Sequence, residues 1–228
     1  MYKKIRATLL GFCFSPQGMV LALVFLLPVT FTDTATAAAE ARPSFFNSKE
    51  TPSTNLKPFK KWMKALERNT KEKAKAEGDC KASKLNKCSY SKWMAFLEKL
   101  KGKSKPVQVK QVNAFMNKAR YITDNNNWGK KDYWATPSEF FARFGDCEDY
   151  SIAKFLSLKM LGFGNDEIRL VAVKDLNLKV GHAIMVVFLG GKVYVLDNQI
   201  KRVVPASSIK HYQPVFSLGT EMWWRHRI

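Results

Sequence analysis

One cysteine in this 228-residue chain stands among acids, in the run Phe144-Gly145-Asp146-Cys147-Glu148-Asp149-Tyr150. The chemistry open to such a stretch is nucleophilic. Gly145 permits a tight turn or a close backbone approach, and the apolar spacing Ile152, Phe155, Leu156, Leu158, Met160 predicts a helix with a buried face ending near Gly162. Cys147 then sits at a helix N-terminus, where unpaired N–H groups favour the reactive thiolate. A lone cysteine is ordinarily a core residue. Such a residue would have no use for Asp146, Glu148 and Asp149, because burying acids is costly unless a cation pairs with them. Those three carboxylates are hard oxygen donors of the kind Ca²⁺ takes. Unpaired, their charge would raise the pKa of Cys147, and a bound dication would reverse that. The plainer alternative is an acidic helix start that serves only the helix dipole.

A thiol nucleophile needs a base and a group to orient it, and the second half of the chain offers both. Extended segments are predicted over 168–173, 182–189 and 193–197, with short pieces near Val203-Val204, Val215-Phe216 and 222–224. Gly190-Gly191 reads as a two-residue hairpin turn. If it joins Leu189 to Lys192 directly, Ile184 faces Asp197 and His182 faces Gln199, which puts His182 and Asp197 on one face as diagonal neighbours. A slip of one residue would send Asp197 to the other face. Cys147, His182 and Asp197 therefore fill the roles of nucleophile, general base and orienting carboxylate in acyl transfer. His211 and His226 fall in a loop-like and a terminal segment and are weaker candidates. The backbone N–H of Cys147 is the first choice for an oxyanion donor.

Residues 1–39 have the form of a secretory leader: Lys3, Lys4 and Arg6, an apolar run over 19–31, then small residues up to Ala39. The run is short for a membrane span of about 20 residues, so export to the periplasm is favoured over an uncleaved anchor. Residues 40–56, rich in Ser, Thr and Pro, read as a flexible lead-in, and 57–228 as a single domain, helical over 57–162 and sheet over 168–228. Phe59, Trp62, Met63 and Leu66 share one helix face, and Tyr90, Trp93, Met94 and Leu97 repeat the pattern, as two helices packed in a hairpin would. A third helix is predicted over 107–122, a polar turn over 123–131, and a short helix from the Thr136-Pro137 cap to Phe144. Trp128, Tyr133 and Trp134 read as core, with a groove wall beside the cysteine as the alternative.

Of four cysteines, Cys13 lies in the leader. In an oxidising compartment Cys80 and Cys88 would pair across their polar loop, leaving Cys147 free; no further Cys or His lies near them to complete a zinc site. The net charge of +19 would favour an acidic partner or merely a soluble surface. The lysines are dispersed, and zinc-finger spacing, RNP motifs and basic-zipper heptads are absent, so a nucleic-acid partner is not expected.

Gly145-Asp146-Cys147-Glu148-Asp149-Tyr150-Ser151-Ile152-Ala153-Lys154, with Trp134-Ala135-Thr136-Pro137 upstream and His182-Ala183 and Val195-Leu196-Asp197-Asn198 downstream, resembles the bacterial transglutaminase-like cysteine proteinases of the LapG type. The resemblance covers most of the chain beyond residue 56. It implies an α+β fold with a papain-like, transglutaminase-like core, a Cys-His-Asp triad, calcium dependence, and cleavage of a large secreted biofilm adhesin near its N-terminus. It further implies a LapD-like inner-membrane receptor that sequesters the protease when cyclic-di-GMP is high. Two other classes compete with this reading. A transglutaminase would use the same three residues but pass the acyl group to an amine; a noncatalytic, basic envelope-binding module would keep the fold without the chemistry.

Overall fold

A computed structural model describes residues 43–72 and 87–228. Among the described residues six helices precede most of a seven-stranded antiparallel sheet, which makes the fold α+β. The helices are α1 (Lys60–Glu72), α2 (Lys87–Leu100), α3 (Lys105–Met116), α4 (Asp124–Trp128), α5 (Pro137–Arg143) and α6 (Cys147–Met160). The strands are β1 (Lys49–Ser53), β2 (Ile168–Asp175), β3 (Val180–Leu189), β4 (Lys192–Leu196), β5 (Val204–Pro205), β6 (Tyr212–Leu218) and β7 (Trp223–Arg227), in the sheet order β1-β7-β6-β2-β3-β4-β5.

α6 is the central element. From Asp149 to Leu158 every residue is buried, so the helix is enclosed on all sides rather than on one face. It packs against α3, α5, β2 and β3. Trp62 and Trp93 close over it from α1 and α2: the Trp62 ring stands edge-on to Phe155 at 5.2 Å, and Trp93 Nε1 donates to Ser157 Oγ at 2.8 Å. The helix stops where Gly162 takes φ +90° and the Phe163 N–H turns back to the Leu158 carbonyl.

The period of two along the strands sorts the sheet into two apolar faces. Leu170, Met185, Val187 and Leu196 join the helical core, whereas Val171, Val173, Ile184 and Val195 face a second cluster that includes Phe45 and Ile209. The Leu189–Lys192 pairing expected across Gly190-Gly191 is present, and its ladder runs to Met185↔Leu196.

Four expectations need correction. Residues 40–56 are not simply a flexible lead-in: Lys49–Ser53 pair with β7 as an edge strand, and Phe45 is buried. An edge tolerates Pro52 and charged residues, so the composition that read as a linker is also that of a protected edge. The third helix ends at Met116 rather than near 122, because the chain then turns extended to pair Tyr121 with Gly145. The polar turn over 123–131 contains the short helix α4, closed by Gly129 in the left-handed region. α1 and α2 both pack on α5 rather than chiefly on each other. The Cys80–Cys88 pairing and the leader lie outside the described residues.

Candidate active site

The start of α6 is held by its own acids. Thr136 and Glu139 form a capping box at the start of α5, which ends at Phe144 with φ 64° and ψ −164°. That backbone region is essentially reserved for glycine and costs a larger residue about 1–3 kcal/mol. The Phe144 carbonyl accepts from Asn127 Nδ2 at 3.0 Å, and the Gly145 carbonyl accepts from the Ile122 N–H at 2.9 Å. Asp149 folds back over Gly145: one carboxylate oxygen accepts from Ala135 N–H at 2.7 Å and the other from Asp146 N–H at 3.3 Å. A Cβ at position 145 would collide with this carboxylate, so glycine is required there for close approach rather than for a positive φ.

Cys147 is the first residue of α6, half-buried, and its thiol is free. Its Sγ donates to Glu148 Oε2 at 3.1 Å, and the backbone N–H of Ala183 on β3 is near enough to favour the thiolate. The β3–β4 ladder stops at Met185, which leaves the edge of β3 at Ala183 clear of β4, and α6 packs against this strand. Burial, followed by the charge and hydrogen bond of Glu148, pushes the thiol well above its ordinary range, against the opposing pull of the Ala183 N–H.

The residue before Ala183 is His182. Its Nε2 lies 2.9 Å from Asp197 Oδ1, so the predicted face-sharing of these two side chains is realised as a direct hydrogen bond. A carboxylate only accepts, so Nε2 carries the proton and Nδ1 is the nitrogen able to take one. Asp197 also accepts the Gln199 N–H at 2.9 Å and the Tyr212 hydroxyl at 2.7 Å, while its carbonyl accepts from Asn117 Nδ2 at 2.7 Å. Burial raises the Asp197 pKa, but the bonds from His182, Gln199 and Tyr212 outweigh it and hold the carboxyl below its usual value. Tyr212 carries no local sequence signal for this role; only the β2–β6 pairing brings it beneath Asp197.

The acids around the elbow form a cluster wider than the motif. Asp124, Asp146 and Asp149 each offer an oxygen within 4.8 Å of the others, as do Asp146, Cys147 and Glu148 with the sulfur included, and Asp124, Asp132 and Glu148. Asp124 Oδ1 and Asp146 Oδ1 are buried with no hydrogen-bond partner. Burial without a cation lifts Asp124 to about 6; for Asp146, burial and then the neighbouring Glu148 lift it to about 7. Unpartnered anionic oxygens converging in a buried site fit a hard divalent cation such as Ca²⁺. Asp149 fits less freely, since both of its oxygens already accept backbone N–H groups. Asp124 and Asp132 had no legible signal, lying 22 and 14 residues before Asp146 in a polar stretch.

Trp128 and Tyr133 are half-buried with ring centroids 4.5 Å apart and planes tilted by 40°, while Trp134 lines a groove of about 390 Å³ with Phe59, Asp132 and Phe216. A model of the bacterial transglutaminase-like cysteine proteinases matches residues 68–218, more than half of the chain. Among solved structures, calcium-bound LapG of Legionella pneumophila is 26% identical, covering 72% of this chain and 86% of its own, with a TM-score of 0.57. The EGTA-treated form of the same protein gives a TM-score of 0.58 at 26% identity, covering 73% and 86%. No curated protein matches.

Proposed function

The chain belongs to the bacterial transglutaminase-like cysteine proteinases and is of the LapG type, and on that premise we propose that Cys147, His182 and Asp197 are its catalytic triad in a calcium-dependent endopeptidase. The observation carrying this reading is the 2.9 Å His182–Asp197 bond, with the N–H of Ala183, the next residue on that strand, acting on the Cys147 thiol to favour its charged form. His182 Nδ1 removes the thiol proton, and the thiolate attacks the peptide carbonyl carbon. The imidazolium, stabilised by Asp197, returns the proton to the leaving amine as the C–N bond breaks. Water, deprotonated by the same imidazole, then hydrolyses the thioester. The Cys147 N–H, at the positive end of α6, is an oxyanion donor.

Asp124, Asp146 and Glu148 would hold calcium, with Asp149 buttressing them. Bound there, the ion supplies positive charge that offsets the acids now disfavouring the thiolate. The substrate is a large surface adhesin, cut near its N-terminus to release it and disperse a biofilm. The leader-like segment supports a periplasmic location, and the family likeness supports capture by an inner-membrane receptor of the LapD kind when cyclic-di-GMP is high.

The test is incubation of purified protein with an adhesin N-terminal fragment, followed by mass spectrometry. New termini are expected from the native protein and none from Cys147→Ala or chelated samples. Isopeptide cross-links in place of new termini would instead establish acyl transfer to amines.

A further inference from the structure

A cavity of about 550 Å³ lies between α3 and the turn end of the β3–β4 hairpin. It is far from the thiol: Leu189, in its wall, stands seven residues beyond His182 on β3, or about 23 Å along an extended strand. Val109, Ala114, Leu189 and Val203 give it an apolar interior. Its charged lining residues are Lys110, Lys201 and Arg202, all exposed and all cationic. Asn113 also lines it and is 1% exposed. The Asn113 Nδ2 donates to the Lys201 carbonyl at 3.1 Å, but Oδ1 has no partner. A buried amide oxygen left unpaired is unfavourable, and a ligand N–H entering the cavity would relieve that.

We propose that this cavity is an exosite for a protein segment in which an apolar side chain is flanked by acidic residues. The apolar group fills the space between α3 and the hairpin, a backbone N–H of the segment bonds Asn113 Oδ1, and the flanking carboxylates meet Lys110, Lys201 and Arg202. An acyl chain could fill the same space and present an acid, but it offers no donor for Asn113. A peptide supplies all three features. The inference rests on the reading of the chain as an endopeptidase, whose substrate is a protein able to engage a second surface while its scissile bond occupies the cleft. Such a tether raises the local concentration of the substrate without a new contact at the reacting atoms.

The experiment uses the full chain carrying Cys147→Ala and a fluorescein-labelled pentapeptide of tryptophan between two aspartates on each side, read by fluorescence anisotropy. Saturable binding is expected, weakened at least tenfold when the tryptophan is replaced by alanine or the aspartates by asparagine. Two variants should each weaken it at least tenfold: Ala114→Trp, which fills the cavity from the exposed surface of α3, and the double change Lys201→Glu with Arg202→Glu. In the background that keeps Cys147, neither should alter iodoacetamide alkylation of the thiol. Binding that both variants leave intact overturns the exosite, as does indifference to the tryptophan. Vesicles of phosphatidylglycerol in phosphatidylcholine whose binding is lost in both variants, with the peptide unaffected, would assign the cavity to lipid and also overturn it. Adhesin cleavage and peptide binding are separate readouts, so failure of one is distinguishable from failure of the other.

Discussion

His182 and His226 are buried to the same extent, each 6% exposed, on strands of one sheet, yet their surroundings differ in kind. His226 has both ring nitrogens bonded, Nδ1 to Ser48 Oγ at 2.8 Å and Nε2 to Ser217 Oγ at 3.0 Å. Ser48 already gives its hydroxyl proton to the Phe45 carbonyl, so it accepts from Nδ1–H, and the ring is neutral with no valence to spare. Burial lowers its pKa to about 4. It ties the segment carrying Phe45 and β1 to the sheet. His182 has Nε2 committed to a carboxylate, which leaves Nδ1 to exchange a proton. Under the proposed function this difference separates a structural histidine from a reactive one: burial is shared, and the number and charge of the partners is not. The acids repeat the lesson. Asp149 has both oxygens satisfied by backbone N–H groups, whereas Asp124 and Asp146 each keep a buried oxygen without a partner.

The sharpest break of this comparison is to exchange the two histidines' fates. His182→Ala should abolish hydrolysis, by about 10⁴-fold or more in kcat/KM, without loss of fold. His226→Gln should leave kcat/KM per folded molecule unchanged and lower stability by about 2 kcal/mol, since it disturbs two buried hydroxyl contacts. Denaturant titration and kinetics on the same samples check both. Next in size, Asp197→Asn removes the acceptor that fixes the His182 tautomer, with an expected loss on the order of 10³–10⁴-fold in kcat and a lowered denaturation midpoint, since the buried carboxylate accepts three hydrogen bonds.

Smaller still, Asp124→Asn should weaken calcium binding at least about tenfold by titration calorimetry, while an equivalent change at exposed Asp166 should do nothing. The pH dependence of stability gives the finest test, because the two regions have opposite signs. The pKa of His226 is depressed in the fold, so its contribution is complete above about 6.5 and is lost as pH falls toward about 4. The pKa values of Asp124 and Asp146, about 6 and 7 without a cation, are raised, so their contribution is complete below the ordinary carboxylate range and is lost as pH rises through 6 to 7. In chelator, Tm should therefore gain from acidification at the elbow and lose from it at His226. Calcium should erase only the first slope, and His226→Gln only the second.

Much of the reactive arrangement was legible because it is local or periodic. The hairpin through Gly190-Gly191 fixed parity, and parity alone put His182 and Asp197 on one face. Thr136-Pro137 marked the start of α5, and Gly162 the end of α6. The edge strand β1 was not legible, since Lys49-Glu50-Thr51-Pro52-Ser53 lacks an apolar period and becomes a strand only by hydrogen bonding to β7. The end of α3 was missed because what stops it is a distant partner, Gly145, rather than a breaker in its own sequence.

What the sequence by itself determined was the chemistry carried by short spacings: a thiol at a helix tip among acids, and an imidazole and a carboxylate in register across a tight turn. Tertiary structure alone decided which distant groups complete them. Asp124 and Asp132 reach the elbow and Tyr212 reaches Asp197 through contacts between elements far apart in the chain. Sequence spacing encodes geometry over a few turns or one hairpin, whereas partners from other elements are selected by packing of the whole core around α6.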